Sequence, residues 1–182
     1  RHAGSNRFVR PEHPPGTVAT VLENQIWAIH EDKAGRLWAG SGQAGAVFRD
    51  TDGQWHPVPD FSGYLQGAQH ATVRDFLEVS AKTIWIDTDG GGELAYSPGN
   101  AHPRKIEHDP AIDSSLPGDS VRALLRDRSG NVWVATDLGL ARMNPAARTA
   151  FALLPSPLEP NTLSDSSVRA LYVDSRGMIW VG

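Results

Sequence analysis

Ser120-Val-Arg-Ala-Leu-Leu-Arg-Asp-Arg-Ser-Gly-Asn-Val-Trp-Val-Ala-Thr136 and Ser167-Val-Arg-Ala-Leu-Tyr-Val-Asp-Ser-Arg-Gly-Met-Ile-Trp-Val-Gly182 are two copies of one unit. Each reads as strand, tight turn and strand, because short runs of aliphatic, β-branched and aromatic residues flank a polar turn, and runs of that length between turn residues favour strands over helices. The turn is Asp127-Arg-Ser-Gly130 in the first copy and Asp174-Ser-Arg-Gly177 in the second, and it returns as Asp32-Lys-Ala-Gly35. Asp opens such a turn because its carboxylate accepts backbone N–H groups just ahead of it, and Gly supplies the positive φ that other residues resist. Further out, Trp38, Trp85, Trp133 and Trp180 recur at intervals of 47, 48 and 47 residues, each 12 residues after Ile26, Val73, Val121 or Val168. The chain is a tandem repeat. A unit of this size cannot bury its own faces, so its neighbours must stack on it to make a core.

After the second strand come a Gly-rich turn and a third strand, with Gly40 to Gly45 leading to Val47 and Phe48, and Leu138 to Ala141 leading to Met143. A fourth strand surrounds Trp55 and Val58 in one copy and Phe151, Leu153 and Leu154 in another. Four antiparallel strands in a repeat of about 47 residues make the blade of a β-propeller, an all-β fold. Inner strands with both faces against neighbouring blades read as nearly continuous apolar runs, and the Trp is placed as the filler between blades. The phasing predicts a partial β-propeller over 1–182: an outer strand of a preceding blade at 1–20, blades at 21–67, 68–115 and 116–162, and the first half of a further blade at 163–182. Exposed inter-blade faces drive association, so either the ends close a four-bladed ring or two chains associate.

The pattern of an aliphatic, Asp-x-x-Gly-x-aliphatic-Trp-aliphatic-Gly/Ala and Thr/Ser-x-x-Gly-Leu resembles the two-component regulator propeller repeat. Asp127, Gly130, Trp133, Thr136, Gly139 and Leu140 all fit it, and the copies at Asp32 and Asp174 fit well. The second copy departs, with Val79 in place of the Asp, Lys82 in place of the Gly and Asp87 where Gly or Ala follows the aliphatic, while Trp85 keeps the register. The resemblance covers the chain from about Phe8 onward. It implies a non-catalytic sensor segment in the periplasmic, extracytoplasmic part of a bacterial inner-membrane receptor. Ligand binding or dimer rearrangement there would control an intracellular histidine kinase or diguanylate cyclase (GGDEF-type) output domain that lies outside this sequence.

Composition narrows the classes. The chain has 17 basic and 21 acidic residues and no run of like charge, which leaves no electrostatic footprint for nucleic acid or an anionic membrane. No apolar stretch approaches the roughly 18 residues of a membrane span, and no signal peptide is present. Cysteine is absent, so disulfides and thiolate metal sites are excluded, and the chain suits the periplasm or the cytosol equally. No cofactor is implied.

Propeller ligands are expected where loops of several blades converge. Tyr64, Gln69 and His70 combine an aromatic with polar groups in the loop before the second blade, a pairing suited to a sugar, peptide or other small molecule, although local packing explains them as readily. Arg74, Arg122 and Arg169 stand one residue after the first-strand aliphatic, with Trp27 in that place in the first copy; such a ring could hold an anion or pair with acids on the next blade. Asp87, Asp89 and Glu93 offer hard oxygen ligands on a Gly-rich loop but lack calcium-hand spacing, so the stretch reads as an ordinary turn and no metal is expected. Asp32, Asp127 and Asp174, with Gly35, Gly130 and Gly177, are structural turn residues. No nucleophile elbow, zinc helix or phosphate loop is present, and no catalytic residue is assigned. The enzymatic alternative is a streptogramin-lyase-like propeller, for which His70 and His108 are the available pair; the third class is a protein-interaction scaffold.

Overall fold

A computed structural model describes residues 16–23, 25–59, 61, 72–146 and 149–182. The first blade is β1 (Ile26–Glu31), β2 (Leu37–Ser41), β3 (Ala46–Arg49) and β4 (Trp55–Pro57). The second is β5 (Val73–Ser80), β6 (Thr83–Thr88), β7 (Glu93–Tyr96) and β8 (Arg104–Ile106), and the third is β9 (Val121–Arg126), β10 (Val132–Thr136), β11 (Gly139–Asn144) and β12 (Thr149–Leu153). A half blade follows, β13 (Leu171–Val173) paired with β14 (Ile179–Val181). Within each sheet the strands are antiparallel in chain order. The inner strands lie in series, β1 on β5, β5 on β9 and β9 on β13. This is the β-propeller architecture that the repeat predicts.

Because successive side chains on a strand point to opposite faces, each second strand serves two junctions. Trp38 and Phe48 of the first blade pack against Phe76, Ile84, Ile86 and Tyr96 of the second, with Trp38 stacked on Phe48 at 4.8 Å between centroids. Trp85, on the other face of β6, packs with Val121, Leu124 and Val132 of the third. Fit at these junctions is close: a Cβ on Gly40 would clash with the side chain of Val73 in the next blade. The tryptophans do not all fill junctions as the repeat predicts. Trp38 and Trp85 are 0% and 1% exposed, Trp133 is half-buried against Leu171 and Val168, and Trp180 is 62% exposed because nothing described packs over β14.

The expected outer strand over 1–20 lies mostly outside the described residues. Its described part enters a helix, α1 (Thr17–Glu23), instead of a strand. Val18, Val21 and Leu22 stand at the i, i+3, i+4 spacing of a helix face and cover Ala39, Val47 and Trp55 on the first blade's outward face. The β-branched content of Thr17-Val-Ala-Thr-Val points to a strand by propensity, and burial of that face overrides it.

The Asp turn has a second purpose that its sequence conceals. In Asp127, Oδ1 accepts the N–H groups of Ser129 and Asn131, and Oδ2 accepts the indole N–H of Trp133 at 2.9 Å. Asp32 holds Ala34, Arg36 and Trp38 in the same way, and Asp174 holds Arg176, Met178 and Trp180. Gly35, Gly130 and Gly177 close the turns at φ 80°, 85° and 85°, where a side chain would be strained. Burial alone raises Asp127, but the Trp133, Asn131 and Ser129 donors outweigh it and hold its carboxyl below the ordinary value. Asp127→Ala therefore strands an indole N–H as well as two backbone donors, and is expected to cost about 1–2 kcal/mol in chemical denaturation at neutral pH. The cost should shrink on acidification below about pH 4, where the carboxylate protonates in the unfolded chain and then in the folded one.

Candidate functional site

The bulges of the inner strands define one end of the molecule. Pairing steps from Ile26↔Ser41 to Ala28↔Gly40, from Val73↔Thr88 to Asp75↔Asp87 and from Val121↔Thr136 to Ala123↔Ala135, so Trp27, Arg74 and Arg122 are the extra residues. In the half blade the N–H groups of Arg169 and Ala170 both donate to the Gly182 carbonyl, at 2.7 and 2.9 Å. A bulge bends its strand and re-aims the side chain at that point, so the four repeat-equivalent residues share one device. The Arg74 guanidinium donates to Asp89 Oδ2 and lies 5.0 Å over the Trp27 ring, while Arg122 Nη1 reaches the same Asp89 oxygen at 3.3 Å. Burial raises Asp89, yet the two arginines prevail and hold it low. Two of the three expected arginines are thus joined through an acid of the second blade. Arg169 is exposed, its Nε 3.4 Å from Ser167 Oγ.

Beside this chain of charges, three carboxylates form a row across the second blade: Asp75 on β5 pairs with Asp87 on β6, which pairs with Glu93 on β7. The same row reads Ala28, Gly40, Ala46 in the first blade and Ala123, Ala135, Leu140 in the third. Small or apolar residues in two blades are replaced by acids in one. Asp87 and Glu93 are both 0% exposed, and among the described residues none of their four carboxylate oxygens has a well-aligned hydrogen-bond partner, with only the backbone at Leu94 and Ile86 drawing the Glu93 carboxyl down. Burial, then the charge of Asp75, pushes Asp87 well above the usual carboxylate range, against the pull of Arg74 and Arg122; burial, then Asp87 itself, does the same to Glu93. Asp75 touches solvent on the inner strand, and the protein packed around the rest of it raises its carboxyl more than the Phe76 N–H and His30 lower it. Unpartnered buried acids cost stability and concentrate at functional sites. The charges of Asp89, Arg74 and Arg122 bear directly on Asp87, so the bulge residues and the acid row form one electrostatic unit at the junction of the second and third blades.

The turn reading of Asp87 to Glu93 thus holds for Asp89 but misses the burial of its neighbours. Column-by-column alignment of the three blades carries the signal, which the bulges disguise by shifting the inner strand one residue against its partner. Among the described residues no three His, Cys, Asp or Glu side chains are placed to hold a metal. Tyr64, Gln69 and His70 lie outside the described residues. The His108 ring is tied through Nδ1 to the Leu116 carbonyl at 2.7 Å. Among the described residues no helix is long and apolar enough to cross a membrane.

The family model described as "Two component regulator propeller" matches residues 20–43, 115–137 and 162–182 and passes over the second repeat, where the acid row lies. No curated protein matches the chain. Solved structures do: the extracellular domain described as that of the hybrid two component system BT4673 from B. thetaiotaomicron, at 19% identity and TM-score 0.67, over 86% of this chain and 20% of that one. PorZ, a surface component of the type-IX secretion system of Porphyromonas gingivalis, matches at 19% identity and TM-score 0.61, over 87% and 23%. A gluconolactonase from Xanthomonas campestris matches at 10% identity and TM-score 0.52, over 85% and 52%. The chain thus spans only about a fifth of the extracellular domain it matches, and at these identities the likeness is one of fold. Together with the Asp–Trp turns and the stacked four-stranded blades, the three matched segments show that this chain carries repeats similar to those of the two component regulator propeller family.

Proposed function

We propose that the chain is a non-catalytic sensor segment in the extracytoplasmic, periplasmic part of a bacterial signal-transduction receptor. In this reading a small molecule, sugar or peptide bound to it, or a rearrangement between self-associated copies, biases an intracellular output domain of the histidine kinase or diguanylate cyclase type. The observation that carries it is the match of three repeats to a regulator propeller. The junction of the second and third blades supports a location for the ligand: Arg74, Asp89 and Arg122 present fixed charges there, and the unpartnered acids beside them leave the junction less stable than its neighbours, so that a ligand can change how the blades sit.

The test is a thermal-shift screen of the 182-residue chain against sugars, peptides and divalent cations, with solution mass followed by light scattering. A sugar or peptide at a hundredfold excess over its Kd is expected to add about 2.7 kcal/mol, a rise of roughly 5–10 °C for a chain of this size, and Arg122→Ala is expected to diminish it. No response to any sugar or peptide, with a mass unchanged by concentration or ligand, would overturn the proposal. A shift produced by cations alone, accompanied by turnover of a lactone substrate, would replace it with the lyase reading.

A further inference from the structure

The opposite end of the same junction holds a cavity. In the first blade the five-residue Asp turn separates β1 from β2, and Glu78 of the next blade accepts the Lys33 N–H at 3.1 Å across the junction. In the second blade Ser80 pairs directly with Thr83, leaving only Ala81 and Lys82 in the turn; with no Asp at Val79 the overhang is gone. In the third blade the residue at the place of Glu31 and Glu78 is Arg126, as the pairings Glu31↔Leu37, Glu78↔Ile84 and Val132↔Arg126 show. A shortened turn and a reversed charge leave an open cavity of about 670 Å³ between the blades. Its floor includes Val79, Trp85 and Ala95, and its walls are the β3–β4-type turns of the two blades.

We propose that this cavity binds a small polar anion, a carboxylate or phosphate ester bearing hydroxyl groups. Arg126, Arg104 and His102 line it, no Asp or Glu does, and Asn100, Asn144 and Ser97 add neutral hydrogen-bonding groups. A basic lining without a single carboxylate stands out in a chain whose net charge is −4. Arg126 is exposed and its side chain has no ion pair or hydrogen bond among the described residues, so its guanidinium is free to make a bidentate contact with an oxyanion. The volume falls within the range of small-molecule sites. This site is on the end of the blades remote from Arg74 and Arg122 and does not rest on the sensor reading.

The experiment is calorimetric titration of the 182-residue protein with glucose 6-phosphate, glucuronate and glucose at fixed ionic strength, repeated on Arg126→Glu, which restores the charge found in the first two blades. Because Arg126 is exposed, the variant keeps the wild-type melting temperature. Saturable one-to-one binding of at least one anionic probe, absent for glucose and weakened about tenfold or more in Arg126→Glu, is the expected result. Absence of saturable binding by both anions, equal binding of glucose, or unchanged affinity in Arg126→Glu would each overturn the proposal.

Discussion

Replacing Asp87 by Ala and Glu93 by Leu, their counterparts in the third blade, is expected to raise unfolding stability by about 2–4 kcal/mol at neutral pH, in the upper part of the roughly 1–4 kcal/mol gained when buried ionic groups give way to packed apolar ones. In a chain of this size that corresponds to roughly 5–15 °C in melting temperature. Strained or destabilised groups recur at functional sites, where stabilising them costs activity, so a gain here is the result expected of a pair with a role beyond packing. The pH dependence gives a second readout. Unfolded carboxyls release their protons near pH 4, while in the folded chain burial and mutual repulsion raise Asp87 and Glu93 well above that value. Above pH 4 the folded state therefore binds more protons than the unfolded one, and stability falls as pH rises, until the folded pair itself ionises. Wild-type protein should lose stability as the pH rises above 5, and the difference between it and the double variant should widen until the folded pair ionises. A double variant that is less stable than wild type, or a difference that does not change with pH, would refute the account of the pair.

Trp38→Ala is the largest single loss expected, about 3–5 kcal/mol. Its ring is 0% exposed and packed among Phe48, Phe76 and Tyr96 at centroid distances of 4.8, 6.0 and 6.2 Å, so truncation empties a junction and leaves Asp32 without the indole donor. Trp180→Ala removes the same residue from the same turn, yet should cost less than about 1 kcal/mol, because Trp180 is 62% exposed and its bond to Asp174 is open to water. Urea denaturation of the four Trp variants should rank them Trp38 and Trp85 above Trp133, and Trp133 above Trp180. Equal losses at Trp38 and Trp180 would show that the indoles act within their own blades and not between them.

That ranking separates what the repeat makes legible from what it does not. The 47-residue spacing, the Asp-x-x-Gly turn and the aliphatic–Trp–aliphatic strand place nearly every strand, because each is a local device: a carboxylate capping its own turn, a glycine at positive φ, a run of β-branched residues. The equivalence of Trp27, Arg74, Arg122 and Arg169 is also visible in the spacing. Their sharing of a bulge is not, since a bulge is a relation between two strands.

By itself, the sequence determined the blade, its repeat and the order of its strands, since these follow from short-range propensities and a period. Only the tertiary structure decided which equivalent residues are equivalent in environment. A helix covers one face of the first blade, while the tryptophan of the last repeat meets solvent. Asp87 and Glu93, read along the chain as part of a polar turn, become a buried unpartnered pair because another blade closes over them. Burial belongs to the junction between blades, and a junction is made by residues about 47 apart, so its energetics cannot be read from one repeat alone.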